Sequence, residues 1–187
     1  MAENLAYLPS VSPSSNGSET TPYYYVYGYQ GTSVTTAKAT NNYQTYGVLY
    51  NWPAAMAGEA SSNSVPSGVQ GVCPTGWHLP SDAEWTVLTS FLGGESVAGG
   101  KMKEAGTTHW DSPNTGANNS SGFTALPAGS RYGNGSFGLL GYNALFWSST
   151  EYYSSGAWSR YLYYDYANVG RYGSYKSSGF SCRCLKD

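Results

Sequence analysis

The chain has 187 residues, a formal net charge of −2 and only 11% charged residues, but 24 glycines and 19 tyrosines. Charges this few exclude a nucleic-acid-binding surface, which needs clustered Lys and Arg, and no apolar run approaches the ~20 residues of a membrane span. A chain that is 16% aromatic is not disordered, since disordered chains are aromatic-poor and charge-rich, and its length fits a single domain over residues 1–187.

Residues 9–22, rich in Pro, Ser, Asn, Gly and Thr, read as a loop. The aromatic run 23–29 predicts a strand. Over 43–57, Tyr46, Leu49, Tyr50 and Pro53 fall at helical spacing and predict a helix, which Pro53 weakens unless it lies near a helix start. Residues 58–72 are small and polar, a loop. Ser81-Asp82-Ala83-Glu84 is a capping box opening a helix over 81–92. Its stripe is Trp85, Leu88 and Leu92, flanked by Val87 and Phe91, and Gly93-Gly94 ends it. Residues 105–138 are Gly-, Asn-, Ser- and Thr-rich, a long loop of the kind that carries function. The segments 144–150, 157–164, 168–176 and 178–185 read as four short antiparallel strands. Two helices, a long loop and a late sheet predict an α+β fold. Trp77, Trp85, Leu88, Phe146, Trp147 and Leu162 are the expected core.

Of the three cysteines, Cys182 and Cys184 stand at i and i+2, on one face of a strand, so they do not bond each other. Cys73 could bridge to either, or all three could be buried small hydrophobes. His78 and His109 show no zinc-ligand spacing. Met1-Ala2-Glu3-Asn4-Leu5 is not a basic and then apolar leader.

Several segments carry a family resemblance. They are Met1–Leu5, Tyr46-Gly47-Val48-Leu49-Tyr50-Asn51-Trp52 and Gly71-Val72-Cys73-Pro74-Thr75-Gly76-Trp77-His78-Leu79-Pro80-Ser81-Asp82-Ala83-Glu84-Trp85. Ala98-Gly99-Gly100-Lys101-Met102-Lys103, Gly122–Gly129, Phe146-Trp147-Ser148-Ser149-Thr150-Glu151 and the closing Gly179–Asp187 complete the set. Together they resemble the Fibrobacter succinogenes major paralogous domain family across nearly the whole chain. The resemblance implies a C-type lectin-like fold: two helices packed on short antiparallel sheets, with long irregular loops. A Trp commonly precedes the first motif in that family, which implies a trimmed start at Met1. Many members are bacterial surface lipoproteins. Others are variable proteins of diversity-generating retroelements, whose last strands vary at adenine-templated codons.

The segment from 144 to 187 fits that last group as a variable C-terminal sheet. The expected ligand-binding residues are Tyr152, Tyr153, Ser154, Ser155, Ser159, Tyr161, Tyr163, Tyr164, Asp165, Tyr166, Asn168, Tyr172, Ser174 and Tyr175. Tyr, Ser, Asp, Gly and Ala are all reachable from an Asn codon by changing adenines alone; Trp158 is not and departs from the pattern. Strand alternation puts Tyr161 and Tyr163 opposite Leu162, and with the neighbouring tyrosines they are expected to form one exposed patch. A Tyr→Ser variant at 161, 163, 164 and 166 is expected to fold and lose its ligand. Uncharged Tyr, Ser, Gly and Asn have the composition of antibody paratopes.

The expected function is therefore non-enzymatic binding of a protein or glycan ligand on another cell or virion, by a domain at the cell surface or on a virion. The alternatives are a surface adhesin or lectin with a fixed glycan ligand, and an enzyme in the formylglycine-generating manner, for which Cys182 and Cys184 would have to be the reactive pair. No cofactor is expected, although Asp111, Asn114, Asn118 and Asn119 supply hard oxygens that would suit a structural calcium.

Overall fold

The computed structural model describes residue 1 and residues 3–187; Ala2, part of the first motif, lies outside them. The chain runs β1 (Tyr24–Tyr25), α1 (Val34–Lys38), α2 (Asn41–Tyr46), β2 (Leu49–Tyr50), α3 (Trp52–Met56), β3 (Trp77–His78), α4 (Asp82–Phe91) and α5 (Glu95–Met102). It continues with β4 (Ala128–Arg131), β5 (Phe137–Leu140), β6 (Asn143–Tyr153), β7 (Gly156–Tyr163), β8 (Val169–Tyr175) and β9 (Leu185–Lys186). The class is α+β, with short helices and small antiparallel sheets: β1-β2, β3-β9, β4-β5 and the three-stranded β6-β7-β8.

The helix expected over 43–57 is two helices with a strand between them. Gly47, at φ 76° and ψ −139°, stops α2 in a conformation closed to other residues. Asn51 then starts α3, its side chain accepting the Ala54 amide, with Pro53 in the first turn where a missing N–H costs nothing. The strand expected over 23–29 shortens to Tyr24–Tyr25. The long loop contains the β4–β5 hairpin.

Helix α4 forms as its capping box dictates: the Ser81 hydroxyl accepts the Glu84 amide at 3.1 Å, and Glu84 accepts the Ser81 amide at 2.8 Å. Trp85 and Leu92 are buried and Leu88 is half-buried, while Val87 and Phe91 lie off the stripe, Phe91 85% exposed. Trp77, expected in the core, is only half-buried in the two-residue β3. Helix α5 has no expectation behind it, because Gly99 and Gly100 weaken any helix. Packing explains them: a Cβ at Gly99 would collide with the Asn168 carbonyl, and one at Gly100 with the Gly116 carbonyl.

Of the four C-terminal strands, three form. The fourth is a stitch: Gly179 bridges to Arg131, Phe180 to Tyr50 and Ser181 to Phe146, before β9 pairs with β3. The β6-β7-β8 sheet is the middle layer, and alternate residues feed two cores. Leu145, Trp147 and Ala157 join Tyr50, Trp52, Leu79, Phe180 and Cys182 on one side. Ala144, Phe146, Leu162 and Val169 join Trp85, Met102 and Trp110 on the other. Cys73 is bonded to Cys184, and Cys182 is free and buried. The chain ends also meet, the Met1 amine donating to the Cys184 carbonyl at 2.9 Å and the Leu5 amide to Cys182 at 3.0 Å.

Candidate functional site

The register of β7 and β8 sorts the tyrosines. Tyr161 pairs with Gly170, Ser159 with Tyr172, and Ala157 with Ser174. Tyr161, Tyr163, Tyr172, Ser159 and Ser174 therefore share one face, and Trp158, Arg160, Leu162 and Arg171 the other. On the first face the Tyr161 ring lies 5.0 Å from Tyr172, 6.2 Å from Tyr163 and 5.8 Å from Phe180, and Tyr163 lies 6.1 Å from Tyr166.

The expected single patch is thus two groups. Tyr152 and Tyr153 belong to the opposite face: the Tyr152 ring packs 4.3 Å from Trp158 and over Gly173, and Tyr153 follows at 5.0 Å. The Arg171 guanidinium lies 3.5 Å from the Trp158 ring and is held by Asp82 at 2.8 Å. Trp158 and Arg171 are members of this second group that sequence reasoning missed. Trp158 departs from the codon pattern, yet its position out of phase with Tyr161 and Tyr163 on a strand was the available signal.

Burial divides the expected residues further. Tyr152, Tyr153, Ser154, Asp165, Tyr166, Tyr172 and Tyr175 are exposed, whereas Ser155, Tyr161, Tyr163, Tyr164 and Asn168 are half-buried. Tyr164 packs edge-on to Tyr142 at 5.0 Å, against the second core. Ser159 and Ser174 are buried, at 0% and 8% exposure. Their hydroxyls form a chain. The Ser159 hydroxyl donates to the Tyr172 carbonyl at 2.9 Å, so Ser174 must donate to Ser159 at 2.9 Å, and Tyr161 to Ser174 at 3.1 Å.

The face is neutral. Burial pushes the Tyr161 hydroxyl up, and burial followed by the Tyr172 hydrogen bond pushes Tyr163 well above the ordinary tyrosine range. The turn that ends β7 is clamped from below. The buried Lys103 amine donates to the carbonyls of Tyr163, Tyr166 and Thr115 at 2.7, 2.9 and 2.9 Å. Burial, against the pull of Asp165, lowers its pKa to about 8.

The other candidate groups are engaged locally. The His78 ring joins Asp187 at 2.6 Å and Glu84 at 2.9 Å, and His109 joins Glu104 at 2.9 Å. The oxygens of Asn118 and Asn119 accept the Ser120 and Thr124 amides, and Asn114 donates to Glu104 and Gly106. Among the described residues, no cluster of three or more His, Cys, Asp or Glu side chains offers a metal site. Burial pushes the Cys182 thiol far up, which keeps it protonated and unreactive.

The family model described as the Fibrobacter succinogenes major domain matches residues 1–186. The chain belongs to that family. The match takes in both the framework motifs and the tyrosine-bearing strands of this Fibrobacter succinogenes major domain. Neither the curated proteins nor the solved structures contain a match to it.

Proposed function

We propose that this domain is a C-type lectin-like, non-enzymatic binding module. Its recognition surface is the tyrosine face of β7 and β8, varied in the manner of a retroelement-diversified protein. The observation that carries the reading is the division of labour within one sheet. Leu162 and Val169 are buried in the second core, and on the opposite face the buried Leu145, Trp147 and Ala157 give way to Tyr161, Tyr163 and a 47% exposed Tyr172, with Tyr166 59% exposed in the turn between the strands. Tyrosine suits recognition, with two χ angles to order, a large ring to bury and a hydroxyl to satisfy. The ligand is a protein on another cell or a virion. The Cys73–Cys184 disulfide fits a surface location, because such bonds persist in oxidising compartments.

Sequencing the 3′ end of the gene in many cells of one population tests the reading. The expected result is substitution at adenines, concentrated in the codons of exposed residues between Tyr152 and Tyr175, sparing Leu162 and Val169, with an imperfect template copy and a reverse transcriptase gene nearby. An invariant 3′ end without such a template would overturn diversification.

A further inference from the structure

The hydrogen-bond phase of the central sheet decides which backbone groups β8 leaves open. The Tyr164 amide donates to the Tyr142 carbonyl at 2.8 Å, one step beyond the Asn143–Tyr163 pair of β6 and β7. In an antiparallel ladder, bonded pairs alternate with unbonded ones. Leu162 and Arg160 therefore turn their amides and carbonyls to β6, and Tyr161, Ser159 and Ala157 turn theirs to β8. The other end of the hairpin agrees, since the Lys176 amide donates to the Ser155 carbonyl at 2.9 Å. Gly170, Tyr172 and Ser174 thus face β7, while Arg171, Gly173 and Tyr175 point their amides away from it. Among the described residues β8 is the outer strand of its sheet, and Arg171, Gly173 and Tyr175 are all exposed. The Tyr175 carbonyl accepts the Ser178 amide, so the outward groups are the amides of these residues and the carbonyls of Arg171 and Gly173. Outer strands are ordinarily blunted by a proline, a bulge or a charge. This one has no proline, keeps an unbroken register with β7, and folds its one charge, Arg171, inward onto Trp158 and Asp82.

We infer that the open edge of β8 takes an extended strand of the protein ligand, added to the sheet beside it. The inference rests on the reading of this sheet as a recognition surface and says how the ligand meets it. Outward amides and carbonyls carry partial charges of alternating sign, and another extended backbone is the complement that matches both. The two aromatic groups point to the same occupant. Tyr161 and Tyr172 lie on one face, and Trp158 and Tyr152 on the other, so a flat surface resting on one group misses the other. An added strand projects alternate side chains to both faces and reaches both groups. A saccharide has no such alternation. Main-chain bonds also form whatever side chains stand nearby, so the edge would keep pairing while the residues around it vary.

The test selects binders to the intact domain from a library of short linear peptides displayed on phage. The strongest is then titrated into the domain as a synthetic peptide, with amide resonances and hydrogen exchange followed by NMR. The expected result is slowed exchange at the Arg171, Gly173 and Tyr175 amides. N-methylation of alternate peptide residues should abolish binding in one phase and spare it in the other. Tyr175→Pro removes one outward donor, a change that an outer strand accommodates. It should bind the peptide about fivefold more weakly than Tyr175→Ala, the factor for one net hydrogen bond, with the remaining spectrum unchanged. The inference is overturned if the library yields no binder, if the peptide protects other amides, if both phases of N-methylation are tolerated, or if the Pro and Ala variants bind alike. Slowing of these amides with protein concentration alone would assign the edge to a second copy of the chain and overturn it as well. Gene sequencing decides diversification independently, so an adenine-varied gene with an edge that binds no peptide would remove only the strand pairing.

Discussion

His78 is held between two carboxylates, and the balance of forces on its proton has a measurable consequence. Burial alone would lower its pKa, but the hydrogen bonds and charges of Asp187 and Glu84 outweigh it, and the folded value is raised above the ordinary 6.5. The folded state therefore holds the proton more tightly than the unfolded chain. The clasp contributes fully below pH 6.5 and is lost as the pH rises through the folded pKa. Denaturant midpoints of the parent should fall over that interval, and those of His78→Gln should fall less. Parallel curves would mean that the ring is not protonated in the fold. Lys103 works in the opposite sense at higher pH: its depressed value makes its buried charge a cost that is relieved as the pH rises above about 8. The comparison of parent and variant cancels that contribution.

At the scale of elements, the β7–β8 hairpin separates tyrosines that hold the fold from tyrosines that do not. Replacing Tyr166, Tyr172 and Tyr175 together with Ser should change stability little, each site staying within about 0.5 kcal/mol. Tyr161→Ser should cost ~2–4 kcal/mol, because it removes a half-buried ring from Phe180 and breaks a hydroxyl chain. The expected four-residue variant at 161, 163, 164 and 166 is therefore the wrong probe of binding, since it includes Tyr161 and the core-packed Tyr164. Thermal melts of the two variants decide this, and equal losses would erase the distinction. What the sequence made legible here was local. Ser81 and Glu84 satisfy each other across one turn, so α4 could be read directly. Tyr46, Leu49 and Tyr50 fit a helical period, but Gly47 interrupts it, and the strand pairing of Tyr50 with Tyr24 lies 26 residues away. Gly99 and Gly100 make sense only beside Asn168 and Gly116. The tyrosine face was legible from period and composition. The burial of Ser159, the stacking of Trp158 and the open edge of β8 were not, because each depends on a neighbouring strand.

For the whole molecule, the Cys73–Cys184 bond closes a sequence separation of 111 residues that includes both longer helices and the central sheet. A loop of that size is worth ~4–5 kcal/mol in the chain-entropy account, so Cys73→Ser should destabilise the domain by about 3–5 kcal/mol. Thiol labelling checks the same assignment: one thiol per parent chain should react, and only on unfolding, because Cys182 is fully buried. Rapid labelling of the native protein would contradict it. Residue 1 meets the carbonyl of Cys184, the disulfide's own residue. Residues nearly the whole sequence apart are thereby tied into one core through Leu5 and Cys182, so fraying at one extremity would loosen the other.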